Sequence, residues 1–81
     1  MRVKVRFFSI HREIVGKSQL EIRLNDGSTT RSLIDLLTCE NPRLKEAEDY
    51  TVVSLNGRFV DKPVILKDGD EVALFPPVGG G

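Results

Sequence analysis

Few residues of this chain have the chemistry to react, and the most suggestive of them is the last. Gly81 ends the run Phe75-Pro76-Pro77-Val78-Gly79-Gly80-Gly81, and its α-carboxylate is that tail's one reactive group. Proline holds φ at about −65° and lacks a backbone donor, so Pro76 and Pro77 lead the chain away from any sheet that precedes them. Gly79, Gly80 and Gly81 carry no Cβ and fit a passage too narrow for a side chain. Extended from Pro76 to Gly81, the tail would reach about 18 Å, at about 3.1 Å per residue. The competing reading is a frayed terminus without function, the common condition of chain ends.

The other candidates are isolated. His11 is the only histidine, with no second histidine or cysteine at metal-ligand spacing, so no metal site is expected. It reads as an ordinary loop residue after a strand. Cys39, the only thiol, falls at the expected C-terminal end of a helix. The negative end of the helix dipole disfavours a thiolate there, which points to a structural role. Asp26-Gly27, Asn56-Gly57 and Asp68-Gly69 read as turns, and none sits in a phosphate-binding loop pattern. No nucleophile, base and orienting group come together, so the chain is not expected to be an enzyme on its own.

The elements that position these residues follow from periodicity. Val3, Val5 and Phe7 alternate with Arg2, Lys4, Arg6 and Phe8, and Leu20, Ile22 and Leu24 alternate with Gln19, Glu21 and Arg23. Both runs read as half-buried strands that pair antiparallel. Arg12 to Gly16 between them reads as a turn or a single helical turn, and Asn25-Asp26-Gly27 closes the second strand. Ser28 or Thr29 can cap a helix over 30–40, with Leu33, Ile34, Leu36 and Leu37 gathered on one face. Asn41-Pro42 stops it.

Residues 43–50 are charged and read as irregular. Thr51 to Leu55, the Asn56-Gly57 turn and Arg58 to Val60 form a hairpin; Val64 to Leu66 is a short apolar patch; Glu71 to Phe75 is the last strand. A helix with one apolar stripe and a sheet with one apolar face bury each other in two layers. The reading is an α+β, β-grasp fold: a mixed sheet of four to five strands on one main helix, with the first and last strands parallel at its centre. A domain over 1–75 carries a flexible tail over 76–81.

With Val72 and Leu74 facing the helix, Glu71, Ala73 and Phe75 face away from it, beside Lys4, Arg6 and Phe8. That face reads either as a solvated sheet surface or as a docking surface in which Phe75, Phe8 and Arg6 meet a partner. Alternatively, the Phe75 ring packs under the tail prolines.

Composition bounds the remaining classes. Twelve basic residues balance twelve acidic ones, apolar residues make up 40% and charged residues 30%. This suits one small compact domain, with no basic excess for nucleic acid or a membrane surface. No apolar stretch approaches the roughly 20 residues that span a bilayer, and the N-terminus enters alternating sequence without a signal-peptide apolar region. One cysteine allows no internal disulfide, which fits a reducing, cytoplasmic setting.

The closing segment Asp68 to Gly81 resembles the C-terminus of the MoaD branch of the ubiquitin-like sulfur carriers (the MoaD/ThiS family), the small subunits of molybdopterin synthase. Phe8 to Gly16 is similar to that family's segment after its first strand, and Val53 to Gly57 to its hairpin, so the likeness spans nearly the whole chain. Gly79 departs from the pattern, which often has another small residue before the final Gly-Gly.

The resemblance implies partners that hold the catalytic side chains. A ubiquitin-activating-enzyme-like adenylating protein would use ATP to convert the Gly81 carboxylate into an acyl-adenylate, and a sulfur donor would convert that into a thiocarboxylate. The tail would then enter the molybdopterin synthase large subunit and give sulfur to a pterin precursor, building the dithiolene that binds molybdenum or tungsten. Gly81 would be the reacting residue, Gly79 and Gly80 the access arm, and no cofactor would be bound by the chain itself. The alternatives are a thiazole-pathway sulfur carrier, a protein modifier joined to lysines through Gly81, and a plain β-grasp interaction domain.

Overall fold

The computed structural model describes residues 1–77. Strand β1 (Arg2–Phe7) alternates strictly between exposed and buried positions, with Val3, Val5 and Phe7 inward. Helix α1 (Ile10–Val15) follows and ends at Gly16, whose φ of 83° is the left-handed conformation that closes a helix and suits a residue without Cβ. Strand β2 (Gln19–Arg23) returns antiparallel to β1, pairing Val5 with Leu20 and Val3 with Ile22. Then come helix α2 (Thr30–Glu40), strands β3 (Val52–Leu55) and β4 (Arg58–Val60), and strand β5 (Glu71–Phe75).

The sheet order is β2-β1-β5-β3-β4. β5 lies parallel to β1, with Val5 opposite Val72 and Phe7 opposite Leu74, and antiparallel to β3, with Val53 opposite Leu74. One helix on one face of a mixed sheet whose central pair is the first and last strands is the β-grasp architecture. Leu33 and Leu37 of α2 meet Val3, Val5, Phe7, Val72 and Leu74 in the core. Among the described residues no helix is long and apolar enough to cross a membrane.

Local chemistry explains the ends of α2. Thr29 is the N-cap: its hydroxyl accepts from the Ser32 amide at 3.1 Å, while the Thr29 amide donates to the Ser32 hydroxyl at 2.7 Å. This reciprocal box satisfies two donors that the helix start leaves free. The Asn41 amide and side chain both donate to the Leu37 carbonyl, and Pro42 follows.

Two expectations change. Residues 43–50 are not irregular, because a 3-10 helix spans Pro42–Tyr50 with Leu44 and Ala47 buried. Its apolar residues stand three apart, and in a 3-10 helix positions i and i+3 eclipse, so they point together into the core. Leu36 does not share the core stripe: it is 38% exposed, against 0% for Leu33. On a helix of 3.6 residues per turn it falls about 100° from Leu37, on the far side of Leu33 from Ile34, at the edge of the stripe.

The apolar patch Val64 to Leu66 forms a single bridge, Ile65 to Thr29. The Thr30 amide donates to the Val64 carbonyl at 2.9 Å and the Leu66 amide to the Ser28 carbonyl at 2.8 Å, tying this segment to the start of α2. Asp68 to Asp70 set the central register. The Arg2 amide donates to Asp68 Oδ1 at 2.7 Å, and the Lys4 amide to the Asp70 carbonyl at 2.9 Å. The Glu71 amide donates to Asn56 Oδ1 at 2.9 Å, joining the hairpin turn to the start of β5.

The two leucines test these faces. Leu33→Ala is expected to cost about 2–5 kcal/mol through the cavity it leaves. Leu36→Ala should cost within about 0.5 kcal/mol, as exposed substitutions do. Urea denaturation of both variants measures the difference, and equal losses would place Leu36 in the core.

Candidate functional site

The site is built where β5 leaves the sheet. Phe75 pairs with Val52 across the β3 ladder, and the two prolines follow, Pro76 partly buried and Pro77 exposed. Gly79, Gly80 and Gly81 lie outside the described residues. With Val72 and Leu74 buried in the core, period-two alternation turns Phe75 to the opposite face, as the sequence pattern requires.

On that face three aromatic rings come together. Phe8 lies 6.0 Å from Phe75, centroid to centroid, at an interplanar angle of 88°. Phe59 lies on the other side at 5.8 Å and 61°. Both contacts are edge-to-face, the geometry that the ring quadrupoles favour. Phe75 is partly buried between its neighbours, whereas Phe8 is 39% and Phe59 71% exposed. The Arg6 guanidinium carbon sits 5.3 Å from the Phe8 ring centroid, within cation–π range, and Arg6 also pairs with Glu71 at 3.4 Å. The structure thus brings Phe75, Phe8 and Arg6 to one surface at the root of the tail.

Phe59 is the residue that sequence reasoning missed. The two-residue turn gives Asn56 a φ of 51° and Gly57 a φ of 85°, both in the left-handed region that such a hairpin needs. It therefore sets Phe59 opposite Ser54, and Ser54 stands opposite Ala73 of β5. The turn reveals the first pairing from sequence alone; the second requires knowing that β3 borders β5. Ser54 and Ala73 are small, so the rings of Phe59 and Phe75 can lean together above them.

The remaining candidates lie elsewhere. Cys39 is exposed at the C-terminal end of α2. Among the described residues no three His, Cys, Asp or Glu side chains converge as metal ligands would. His11 corrects an expectation, because it is not a loop residue: it belongs to α1 and is 1% exposed. Burial lowers its pKa from the usual value, and the Phe8 carbonyl opposes that shift only partly.

Comparison with known proteins gives consistent results. The ThiS family model matches residues 5–81. The chain is 38% identical over 84 residues to the molybdopterin synthase sulfur carrier subunit of Chlamydomonas reinhardtii, covering all of both chains. It is 34% identical over 92 residues to small archaeal modifier protein 3 of Haloferax volcanii, again covering both in full. Among solved structures, the complex of subunits 1 and 2 of molybdopterin-converting factor from Helicobacter pylori contains a chain that matches with a TM-score of 0.74 and 35% identity, each chain covered completely.

The surface rings should contribute little to folding. Phe59→Ala is expected to cost about 0.5–1.5 kcal/mol, the worth of one aromatic pair, against about 3–5 kcal/mol for Phe7→Ala in the core. Thermal melts of the two variants check this order, and an equal loss would mean that Phe59 is a core residue.

Proposed function

The chain belongs to the ThiS family, in its MoaD branch, and from that membership we propose that it is the sulfur-carrying small subunit of a molybdopterin synthase. The observation that carries the proposal is the extent of the family match, which runs through residue 81 and so takes in the glycine tail. The names of the full-length relatives and the two-subunit complex from Helicobacter pylori support the same role and a large-subunit partner.

The mechanism follows from what a carboxylate can and cannot do. The Gly81 carboxylate is a poor electrophile, so a ubiquitin-activating-enzyme-like partner first joins it to the α-phosphate of ATP, releasing pyrophosphate. A sulfur donor then displaces AMP and leaves a thiocarboxylate. The large subunit receives the tail and transfers that sulfur to a pterin precursor, returning Gly81 to its carboxylate, and two such transfers supply the two sulfurs of the dithiolene. Gly79 and Gly80 give the arm its narrow cross-section, and Pro76 and Pro77 direct it away from the sheet. The three-ring face is the docking surface: Phe75 and Phe8 supply apolar area and Arg6 a cation beside the tail's exit.

A second reading has one observation in its favour, the relative named as a small archaeal modifier protein. The same activated glycine, attacked by a lysine amine instead of a sulfur nucleophile, would give an isopeptide bond. Intact mass of the protein isolated from its own host separates the two products. Replacement of one oxygen by sulfur at Gly81 supports the carrier, and recovery only as conjugates to other proteins supports the modifier.

Two outcomes are expected with the partners. Appending one residue after Gly81, or deleting Gly81, should abolish ATP–pyrophosphate exchange by the adenylating partner without lowering the melting temperature; full exchange with an extended tail would overturn the carrier reading. Phe75→Ala should weaken binding to the large subunit by about 2 kcal/mol or more, roughly 30-fold. Calorimetric titration measures it, and unchanged affinity would remove the aromatic face from the interface.

A further inference from the structure

His11, which the docking chemistry does not use, is a highly constrained polar side chain. Its ring lies in the buried layer, on the opposite side of the sheet from the three surface rings. Nε2 is 2.8 Å from the Thr51 hydroxyl, and that hydroxyl donates to the Ala47 carbonyl at 2.6 Å. Threonine has one hydroxyl proton and the carbonyl can only accept, so Nε2 must carry the proton that bonds to Thr51. The neutral ring is thereby fixed in one tautomer. Nδ1 is left as a buried acceptor without a hydrogen bond, an unmet demand in a packed interior.

A second proton would make Nδ1 a donor, and the Phe8 carbonyl favours that form in part, but burial of the charge outweighs it. A cavity of about 120 Å³ adjoins the ring, and its charged lining is Arg31 from α2 and Glu48 from the 3-10 helix, which bond to each other at 3.0 Å. Arg12 and Glu13 of α1 itself are exposed. β1 and β5 turn Phe7 and Leu74 toward this layer and keep Lys4, Arg6 and Glu71 on the other face, while β3 contributes Val53. No free counter-ion among the described residues faces the ring, and burial of the positive charge is correspondingly unfavourable.

The ring is also coupled to the aromatic face through the backbone. The His11 amide donates to the Phe8 carbonyl at 3.1 Å, and the Phe8 amide donates to the Leu74 carbonyl at 3.2 Å. Ser9 between them has φ 54° and ψ −127°, a conformation that glycine tolerates and serine holds only when its surroundings impose it.

We propose that His11 is a proton-sensitive latch: protonation at Nδ1 releases the ring and the first turn of α1 from the buried layer, relaxes Ser9 and unseats Phe8 from the aromatic face. A solvated histidine takes up its proton near pH 6.5, about the value expected once the ring is released. The packed ring takes it up only at lower pH, so the packed form is fully favoured above about pH 6.5 and loses ground as pH falls below it. The consequence for partner binding rests on the docking role proposed above; the opening itself does not.

Because His11 is the only histidine, its ring resonances are unambiguous in a nuclear magnetic resonance titration of the full chain from about pH 8 to pH 5. The ring midpoint is expected below 6.5, with the Phe8 and Ser9 amides moving at the same midpoint and the Asn56 and Gly57 amides, at the far hairpin, unmoved. His11→Gln stays neutral and can still donate to Thr51, and it should flatten the Phe8 response; if it fails to fold, agreement of the wild-type midpoints decides. A Phe8 amide that stays flat while the ring titrates would overturn the latch. So would a ring midpoint at or above 6.5, or loss of all amides together in one unfolding event. Failure of Gly81 activation with this coupling intact would count against the carrier role alone.

Discussion

The parallel pairing of β1 with β5 is the constraint on which the rest of the molecule depends. It joins the two ends of the chain, so nearly the whole sequence must close as a loop before Val5 and Phe7 can meet Val72 and Leu74. Parallel pairs are slow to form for that reason, and they need cover on at least one face. Here α2 supplies the cover through Leu33 and Leu37. The Asp68 to Asp70 loop fixes the register by taking the Arg2 and Lys4 amides. With the register fixed, β5 ends at Phe75 in the middle of the sheet, flanked by β1 on one side and β3 on the other.

That central position gives the exit of the tail a rigid frame. An edge strand would leave its last residue beside solvent and prone to fraying. β5 instead borrows a ring from each direction, Phe8 from the end of β1 and Phe59 from the β3–β4 hairpin. The result is an apolar surface held by three separate parts of the chain at the point where the backbone stops making ladder bonds. In the proposed carrier role, docking at this root would fix where the arm begins.

The sheet also separates two kinds of polar requirement. Its outer face carries Lys4, Arg6 and Glu71 in water, where their charges cost little. Its inner layer holds His11, whose bond to Thr51 satisfies one ring nitrogen and leaves the other without a bond. The two meet through the backbone between Phe8 and His11, where the His11 amide donates to the Phe8 carbonyl.

Local periodicity decided much of this protein. Alternation in residues 2–8 and 71–75 determined which side chains face the helix, and therefore that Phe75 faces away from it. Asn56-Gly57 determined the hairpin, Ser28-Thr29 the start of α2, and Pro42 its end, because these are preferences of neighbouring residues that hold wherever the segment lies; the structure chose Thr29, with Ser32, as the cap. The resemblance carried by the tail was likewise legible without coordinates.

Tertiary structure decided what depends on elements distant in sequence. Phe59 joins Phe75 only because β3 borders β5, and packing leaves Leu36 exposed while Leu33 and Leu37 enter the core. The segment 42–50 coils because Leu44 and Ala47 find a core to enter, despite the charges around them. His11 is buried because α1 folds back against Thr51, forty residues away along the chain. No pattern around a single histidine encodes that distance, since burial belongs to the packing of both partners and not to either segment alone.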